Sequence, residues 1–586
     1  MIIQSLVHYY DQLRENPNSG IAQPGWCSRQ VRFLLELSPE GHLKAVIPCG
    51  DGKHGVEKIV PEQVKRSSGV AANYLCDTSS YLLGLDGKGK PERSRKCFEA
   101  SRALHLSLLK ECSGTVARAI VGFYQRWDPD QVDFDAVPGL SDEGILAAGN
   151  ISFCVSDGSS WIEACDDEEV RTSWSSHCDD DDGQSEMISL ATGMRGPVAR
   201  LHPAIKGVVG AQSSGASLVG FNAESFESYG HVGEQGRNAP VDVVSTQAYA
   251  TALNYLLADR WHHGRLGDTT VVFWSSSQAS DQGNCSVLAL ALGFAPVGDP
   301  GSQTDAQQNM KAIMDRMASG KPVDLDGVSL GDDFFLLGLA PNAARLAVRF
   351  FLHGSFGEMM RHIADHYHIS DVAHAPNEFS YVSPYWLLSS LENPNAKKPV
   401  VSSQLSAPLM QAILRGGRYP ESMYENVLLR VRALRTVKRE HAAIVRAYLI
   451  RNAKKSESEV TVNMNADSKD VAYTLGRAFY VLEHIQEEAN GSSTIADRYL
   501  SAACSTPATT FPVLLKLSVA HLSKLSREKP GLSVHFEKQL GDLIARQGSD
   551  FPKRLSLVDQ GSFLLGYYQQ KQARFEKKIG QDNQDQ

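Results

Sequence analysis

Residues 421–452 read ESMYENVLLRVRALRTVKREHAAIVRAYLIRN, a stretch with neither glycine nor proline. Val427, Val431, Leu434, Val445 and Leu449 return at helical spacing, so the stretch predicts one long helix, or two shorter ones broken near Thr436. From there to the C-terminus the pattern stays helical. Asp470 to Ala489 places Val471, Leu475, Phe479, Leu482 and Ile485 on one side, and two or three further helices are expected before Lys578. Upstream of Pro399 the character changes. Ile2 to Glu15 reads as an amphipathic helix, and Val31–Leu37 and Leu43–Pro48 read as strands about the turn Pro39-Glu40-Gly41. Arg95–Glu111 and Val116–Trp127 read as helices, Gly207–Gly236 as a Gly/Ser-rich region, and Thr269–Trp274 as a buried strand. Phe334–Leu339 reads as a further strand stopped by Pro341. The expected fold is α+β: a mixed α/β N-terminal body (1–400), a basic helical connector (401–463) and an all-helical C-terminal bundle (464–586).

A chain of 586 residues is too long for one hydrophobic core, and 42% hydrophobic with 21% charged residues is an ordinary folded composition. Met1-Ile2-Ile3-Gln4-Ser5-Leu6 lacks the basic region and apolar run of a secretion signal. The most apolar stretch, Cys285–Val297, is too short to span a bilayer. A cytoplasmic protein with no membrane contact is expected. Ten cysteines without a C-x-x-C pair fit reduced thiols better than a disulfide framework or a zinc ribbon. The net charge of −9 hides a segregation. Between Asn150 and Leu190 eleven acids face Arg171 alone, and this stretch (150–190) reads as an acidic loop or insertion. From Val401 to Lys455 eleven bases face three acids, the kind of basic face a polyanion needs.

Motifs for bond chemistry fail one by one. Gly84-x4-Gly89-Lys90 begins like a phosphate-binding loop, but Pro91 stands where the magnesium-binding Ser or Thr belongs. Gly215-Ala216-Ser217-Leu218-Val219-Gly220 lacks the spacing of a nucleophile elbow. Asp179–Gly183 would need an acid at 178 to open a calcium loop, and Cys178 is there. His362 and His366 lie one helical turn apart with Asp365 and His368 nearby, but no Glu completes an H-E-x-x-H pattern and no third ligand is evident. No catalytic residue, metal ligand or cofactor is expected.

Two segments suit nucleic acid. If 421–452 is one helix, Arg432, Arg435, Arg439 and Arg446 fall within about 60° of one another, beside the apolar stripe, with Arg415 and Arg418 just upstream. Stacked arginines repel unless phosphates or carboxylates lie across them; the competing reading is a solvated face. Lys65-Arg66-Ser67-Ser68-Gly69, leading into Asn73-Tyr74, combines cations for phosphate, small residues that admit a backbone into a groove, and an amide for base edges. A simple turn with a capping Asn has the same composition.

Five blocks then follow in order along the chain. They are Lys65–Gly69 with Asn73-Tyr74-Leu75-Cys76-Asp77 and Tyr81-Leu82-Leu83-Gly84; Gly215–Asn222 with Ser228-Tyr229-Gly230 and Asn238-Ala239-Pro240; Leu339-Ala340-Pro341-Asn342-Ala343-Ala344-Arg345; Leu475-Gly476-Arg477-Ala478-Phe479; and Asp559-Gln560-Gly561 with Gly566-Tyr567-Tyr568. In order and spacing, over nearly the whole chain, they resemble the large subunit of type I-C CRISPR Cascade surveillance complexes; the acidic run Asp166–Asp182 departs from that pattern.

The resemblance implies a non-catalytic subunit of an RNA-guided complex, with backbone subunits, small subunits and the guide-RNA-processing subunit as partners. It implies recognition of a protospacer-adjacent motif in duplex target DNA, promotion of unwinding, holding of the displaced strand and docking of a helicase-nuclease. In that role Asn73 is the expected base contact, with Lys65, Arg66, Ser67, Ser68 and Tyr74 around it. Arg415, Arg418, Arg432, Arg435, Arg439 and Arg446 would carry the displaced strand, and Ser217, Asn222, Arg237 and Asn238 are candidate loop contacts to nucleic acid or subunits. The resemblance also implies that the C-terminal part is made separately as a small subunit, from Met464 or from a valine codon at Val460 or Val462. An RNA-binding scaffold without DNA readout and a cryptic hydrolase or nuclease are the competing functions.

Overall fold

A computed structural model describes the chain apart from residues 17–18, 24, 51–53, 65, 67–68, 86–89, 142, 147–148, 159–160, 180–185, 229, 295–315, 317–326, 376–377, 397–400, 548–549 and 576–586. It divides into two units, Met1–Ala204 with Val219–Tyr255, and Ile205–Leu218 with Leu256–Gln586. The three segments expected from the sequence cut across this division.

Unit one opens with helix α1 (Ile2–Glu15), which buries Leu6, Tyr9, Tyr10 and Leu13. Its sheet is built on β1 (Trp26–Leu37), whose twelve residues serve two partners in turn. Trp26–Val31 pairs with β3 (Val56–Pro61) and Phe33–Leu37 with β2 (Leu43–Pro48), both antiparallel. On the other edge β4 (Asn150–Ser156) runs parallel, Leu35 opposite Phe153, and β5 (Trp161–Glu163) closes the order β2-β1-β4-β5. The β1-to-β2 turn is set by Gly41, whose φ is +88°. A Cβ there would lie 2.4 Å from the backbone nitrogen of Phe123, so only glycine lets the turn meet the helix behind it.

The crossover to β4 runs through the helical turn α2 (Ser79–Leu82), α3 (Pro91–Leu108) and α4 (Thr115–Arg126). Val116, Ala119, Ile120 and Phe123 recur at i, i+3, i+4 and i+7 and bury that face of α4. Pro91 is tolerated because it opens α3, where the missing N–H costs nothing. A helical turn, rather than a strand, precedes the glycine-lysine stretch, so the strand-loop-helix setting of a phosphate loop is missing here.

Of the stretch 150–190, expected as an acidic loop or insertion, the described residues are mostly regular structure. They include β4, β5 and α5 (Glu168–Asp179), which buries Val170 and Trp174 and leaves Glu168 exposed. Glu169 accepts from Ser113 N (2.8 Å) and Gly114 N (2.6 Å) at the start of α4, the favourable place for a carboxylate. Charge count alone misses two buried apolar residues spaced one helical turn apart. A hairpin, β6 (Glu186–Ile188) with β7 (Arg195–Pro197), and helix α6 (Val243–Ala258), which runs up to and past the unit boundary, follow.

Unit two carries an antiparallel sheet of order β11-β10-β9-β8: β8 (His263–Leu266), β9 (Thr269–Ser275), β10 (Asp333–Asn342) and β11 (Arg345–Ser355). Every residue of β9 is buried, the apolar run Val271–Trp274 together with Thr269, Thr270 and Ser275. β10 continues through Pro341 rather than stopping before it. β9 pairs with β10 only as far as Leu339, so the proline lies where β10 has a single neighbour and its missing donor is affordable.

Helices complete the unit: α7 (Gln278–Leu292), α8 (Phe356–Ser370), α9 (Pro384–Ser389), α10 (Ser403–Leu414), α11 (Glu421–Leu434), α12 (Arg439–Arg451), α13 (Val471–Asn490), α14 (Ile495–Ser505), α15 (Pro507–Glu528), α16 (Pro530–Arg546) and α17 (Leu557–Gln572). One apolar core runs from Leu266 to Tyr568, so the sheet, connector and bundle share it. Strands in the N-terminal half and helices dominating the C-terminal region are the α+β arrangement expected. Glycine brings α13 and α17 together: a Cβ on Gly476 would lie 1.9 Å from Phe563 O, and one on Gly566 2.1 Å from Tyr473 O. These are glycines of the blocks quoted above, and close backbone approach is their physical reason.

Candidate nucleic-acid interface

The segment after β3 leaves the sheet and returns to it at Asp77, which pairs with Ile151 through both backbone groups. Asp77 is buried and gathers the segment around itself. Arg66 forks onto it, Nη1 donating to Oδ1 at 3.0 Å and Nη2 to Oδ2. Asn73 N donates to Asp77 Oδ2 (3.0 Å) and Thr78 N to Oδ1 (2.8 Å). Arg66 also donates from Nε to Ala71 O (2.6 Å) and lies over the Tyr81 ring, 3.8 Å from its centroid. Asn73 is 5% exposed, and its amide oxygen accepts from Val64 N at 2.9 Å. Tyr74 is wholly buried, stacked on Trp174 with its hydroxyl 3.0 Å from Ser173 Oγ.

These placements change the expected division of labour. Arg66 has a carboxylate partner inside the chain, and Asn73 and Tyr74 face inward and pin the segment rather than reach outward. Lys65, Ser67 and Ser68 lie outside the described residues. Leu75, at φ +58°, is held in its strained turn by His105, whose Nε2 accepts its N–H at 2.9 Å. Burial lowers the His105 pKa to about 4, which keeps the ring a neutral acceptor. Asp77, Tyr81 and His105 are the residues sequence reasoning passed over. Asp77 and Tyr81 stood in the same block as Asn73, but nothing in their spacing says that a buried carboxylate organises it.

The four-arginine face does not form. α11 ends at Leu434, Arg435 turns into the left-handed region (φ 54°), and α12 starts at Arg439, so the two halves lose a common helical phase. Arg446 is buried, donating from Nε to Val460 O (3.0 Å) and from Nη1 to His368 O (2.8 Å). Arg439 donates to Phe379 O and to Ser380 O (3.1 Å), with Glu378 3.6 Å away. Arg432 donates to Gln560 Oε1. Buried arginines need such acceptors, and backbone carbonyls supply them without a second charge. Arg415, Arg418 and Arg435 are exposed. The first two precede the start of α11 and the third caps its end, about 20 Å away along a helix of this length.

The third expected group falls in both units. Ser217, in unit two, is paired through its backbone to the end of the β10–β11 hairpin, N to Ala344 O and O from Leu346 N. In unit one Asn222 is exposed and Arg237 lies 3.4 Å from Glu234. Asn238 braces its own loop, accepting from Ser228 N (2.7 Å) and donating to His231 O and Gln235 O.

The histidines of α8 do not converge. His362 bonds Leu414 O (2.9 Å), His366 shares a hydrogen bond with the Tyr419 hydroxyl (2.6 Å), and His368 meets Glu457 (2.7 Å). Burial lowers the His366 pKa to about 3, as for a core histidine. Among the described residues one group, His262, Asp281 and Cys285, has ligand atoms close enough to share a metal. Nε2 is hydrogen-bonded to Asp281 at 2.9 Å, and Nδ1 lies 3.1 Å from Asp259 at ion-pair distance without a hydrogen bond, so a protonated ring balances the two carboxylates' charge without a metal. Burial alone would lower the His262 pKa, but Asp281 and Asp259 outweigh it and hold it above its ordinary value. Among the described residues no helix is long and apolar enough to cross a membrane.

Set against known protein families, the chain is matched by the model described as CRISPR-associated protein (Cas_Csd1), over residues 6–575. No curated protein matches it.

Proposed function

The chain belongs to the CRISPR-associated Cas_Csd1 family and so acts in a CRISPR system within a multi-subunit Cas assembly, and from that premise we propose that it is the large, non-catalytic DNA-reading subunit of a type I-C surveillance complex. The match over residues 6–575 is the observation that carries the reading. In this role it recognises the protospacer-adjacent motif, helps to start the R-loop, holds the displaced strand and recruits the helicase-nuclease. Guide pairing replaces DNA pairing with little net gain, so protein contacts must tip the balance.

Residues 64–72 are the segment offered to the duplex. Arg66, Asn73 and Asp77 act as positioning residues for it, and Lys65, Ser67 and Ser68 make the contacts. Supporting this division, Val64 and Val70 are exposed at the two shoulders while Asn73 is buried at the base. Arg415, Arg418 and Arg435 take phosphates of the displaced strand.

The test is competition between target duplexes that differ only in the flanking motif, bound to the guide-loaded assembly. A matched motif should win by roughly 1–3 kcal/mol per base contact, about 5- to 150-fold, and the preference should vanish when this subunit is left out. An assembly that discriminates equally well without it rejects the proposal.

A further inference from the structure

Three large aromatic side chains in unit two stand out of the core: Phe379 (56% exposed), Tyr385 (46%) and Trp386 (56%). Full burial of such a ring is worth about 1.5–3 kcal/mol, so neighbouring rings left in water mark a surface kept for a partner. The sorting is visible within α9 itself. Leu387 and Leu388 are buried, yet the two larger rings just before them face out. Tyr385 and Trp386 meet edge to face, centroids 5.6 Å apart at 76°, an arrangement that leaves flat ring surface available.

Cations gather at both ends of this segment. Arg439 holds the carbonyls of Phe379 and Ser380 and offsets Glu378. Arg430 donates through Nε to Leu391 O (3.0 Å), one of its five donors. His441 reaches Ser390 O (3.1 Å), which brings the start of α12, with exposed Lys438 and nearby exposed Arg435, to the end of α9. The acids of residues 378–392 and 430–441 are Glu378, Glu392 and Glu440, fewer than the cations Arg430, Arg432, Arg435, Lys438 and Arg439.

Open rings flanked by guanidinium and ammonium groups suit single-stranded nucleic acid, whose bases stack on any π-face while its phosphates take the cations. We infer that α9 and the segment before it form a base-stacking platform for single-stranded nucleic acid, with Tyr385 and Trp386 as the stacking rings and Arg430, Arg435 and Lys438 on the phosphates. The inference rests on the nucleic-acid reading above and deepens it by naming side chains that touch bases.

The experiment measures binding of a fluorescein-labelled oligothymidine 20-mer to the full chain by anisotropy across a salt series. It compares wild type with the double variant Tyr385→Ala/Trp386→Ala and with Trp386→Phe. The double variant should bind at least roughly tenfold more weakly, about 1.4 kcal/mol, with an unchanged salt slope because stacking releases no counterions. Trp386→Phe should stay within about threefold of wild type and lose part of the oligonucleotide-induced quenching of tryptophan fluorescence. That second readout stands even if the double variant fails to fold.

Wild-type binding that the double variant retains, with quenching unaltered by Trp386→Phe, overturns the platform and leaves the nucleic-acid reading standing. Absence of wild-type binding overturns both. Retained oligonucleotide binding with lost co-purification of the backbone subunits overturns the platform by making this face a protein dock.

Discussion

At the scale of single residues, the chain uses charge mostly to hold itself in shape. Asp77 accepts from Arg66, Asn73 and Thr78, so the segment expected to face DNA hangs on one buried carboxylate. Asp77→Asn keeps the volume but halves the acceptors and leaves Arg66 without its counter-charge. The expected cost is about 2 kcal/mol, less than for a fully buried pair because Arg66 is partly exposed. If the segment reads the motif, the same change relaxes motif preference in duplex competition while leaving the salt slope of binding alone; a variant that melts earlier yet keeps full preference removes residues 64–72 from the reading. His262 gives a pH prediction. Its folded pKa is raised, so its ion pairs stabilise fully below about pH 6.5 and that contribution is lost as pH climbs through the higher folded value. The thermal midpoint should therefore fall more steeply above pH 6.5 in wild type than in His262→Gln. The variant itself should lose up to roughly 3 kcal/mol near pH 6, because Asp281 and Asp259 keep their backbone donors but lose their shared counter-charge. Parallel pH profiles would show that the ring is neutral in the fold.

At the scale of elements, the break between α11 and α12 decides which arginines remain for a ligand. Arg435 occupies a left-handed helix end that normally takes glycine, a placement costing of the order of 1 kcal/mol. A strained, exposed arginine is retained at a stability cost, which points to use of its charge. Arg435→Gly should thus stabilise the chain by about 0.5 kcal/mol in denaturant titration and, at the same time, weaken single-strand binding and flatten its salt slope by roughly 0.7. Stability and affinity moving in the same direction would refute that account. The break also marks how far the sequence could be read. Periodicity located β2, β9, α1 and α13 to within a residue, and it found the end of β1 but missed its first five residues, Trp26–Gln30, where buried and open positions alternate. It could not tell one helix from two at 421–452, since apolar spacing persists across Arg435 and no glycine or proline flags the turn. Nor could composition separate Arg446, buried on carbonyls, from Arg415, in water. What an arginine touches depends on residues such as His368 and Val460, which only the fold brings to it. The outward rings of α9 were invisible for the same reason, because the sequence shows aromatics beside leucines and not which of them the core takes.

At the scale of the whole molecule, the core of unit two bears on the expected product from Met464. Met464 lies in the connection between α12 and α13, a plausible place to begin a chain because no strand or helix is cut there. The interior tells a different story. α17 is buried on all sides from Gln560 to Gln570, which a terminal helix achieves only by packing on both α13 and the helices upstream. The upstream contacts are specific: Tyr424 donates to Leu557 O, Lys455 pairs with Asp470 and donates to Ser562, Gln569 donates to Thr461 O and Val462 O, and Tyr568 donates to Ala373 O. Residues 464–586 made alone would keep the α13–α17 crossing through Gly476 and Gly566 but expose this second side, with Tyr568, Gln569 and Leu565 on it. A bundle of about 120 residues is large enough to fold, so the expected outcome is a folded species that covers the exposed side by association. Sedimentation of the purified 464–586 fragment should show oligomers or, in the presence of the full assembly, capture by it, with helical circular dichroism in either case. A fragment that is folded and monomeric at high micromolar concentration would mean that α17 repacks when released, and the contacts from Tyr424, Lys455 and Ala373 would then be optional features of the long chain rather than part of the fold of its C-terminal bundle.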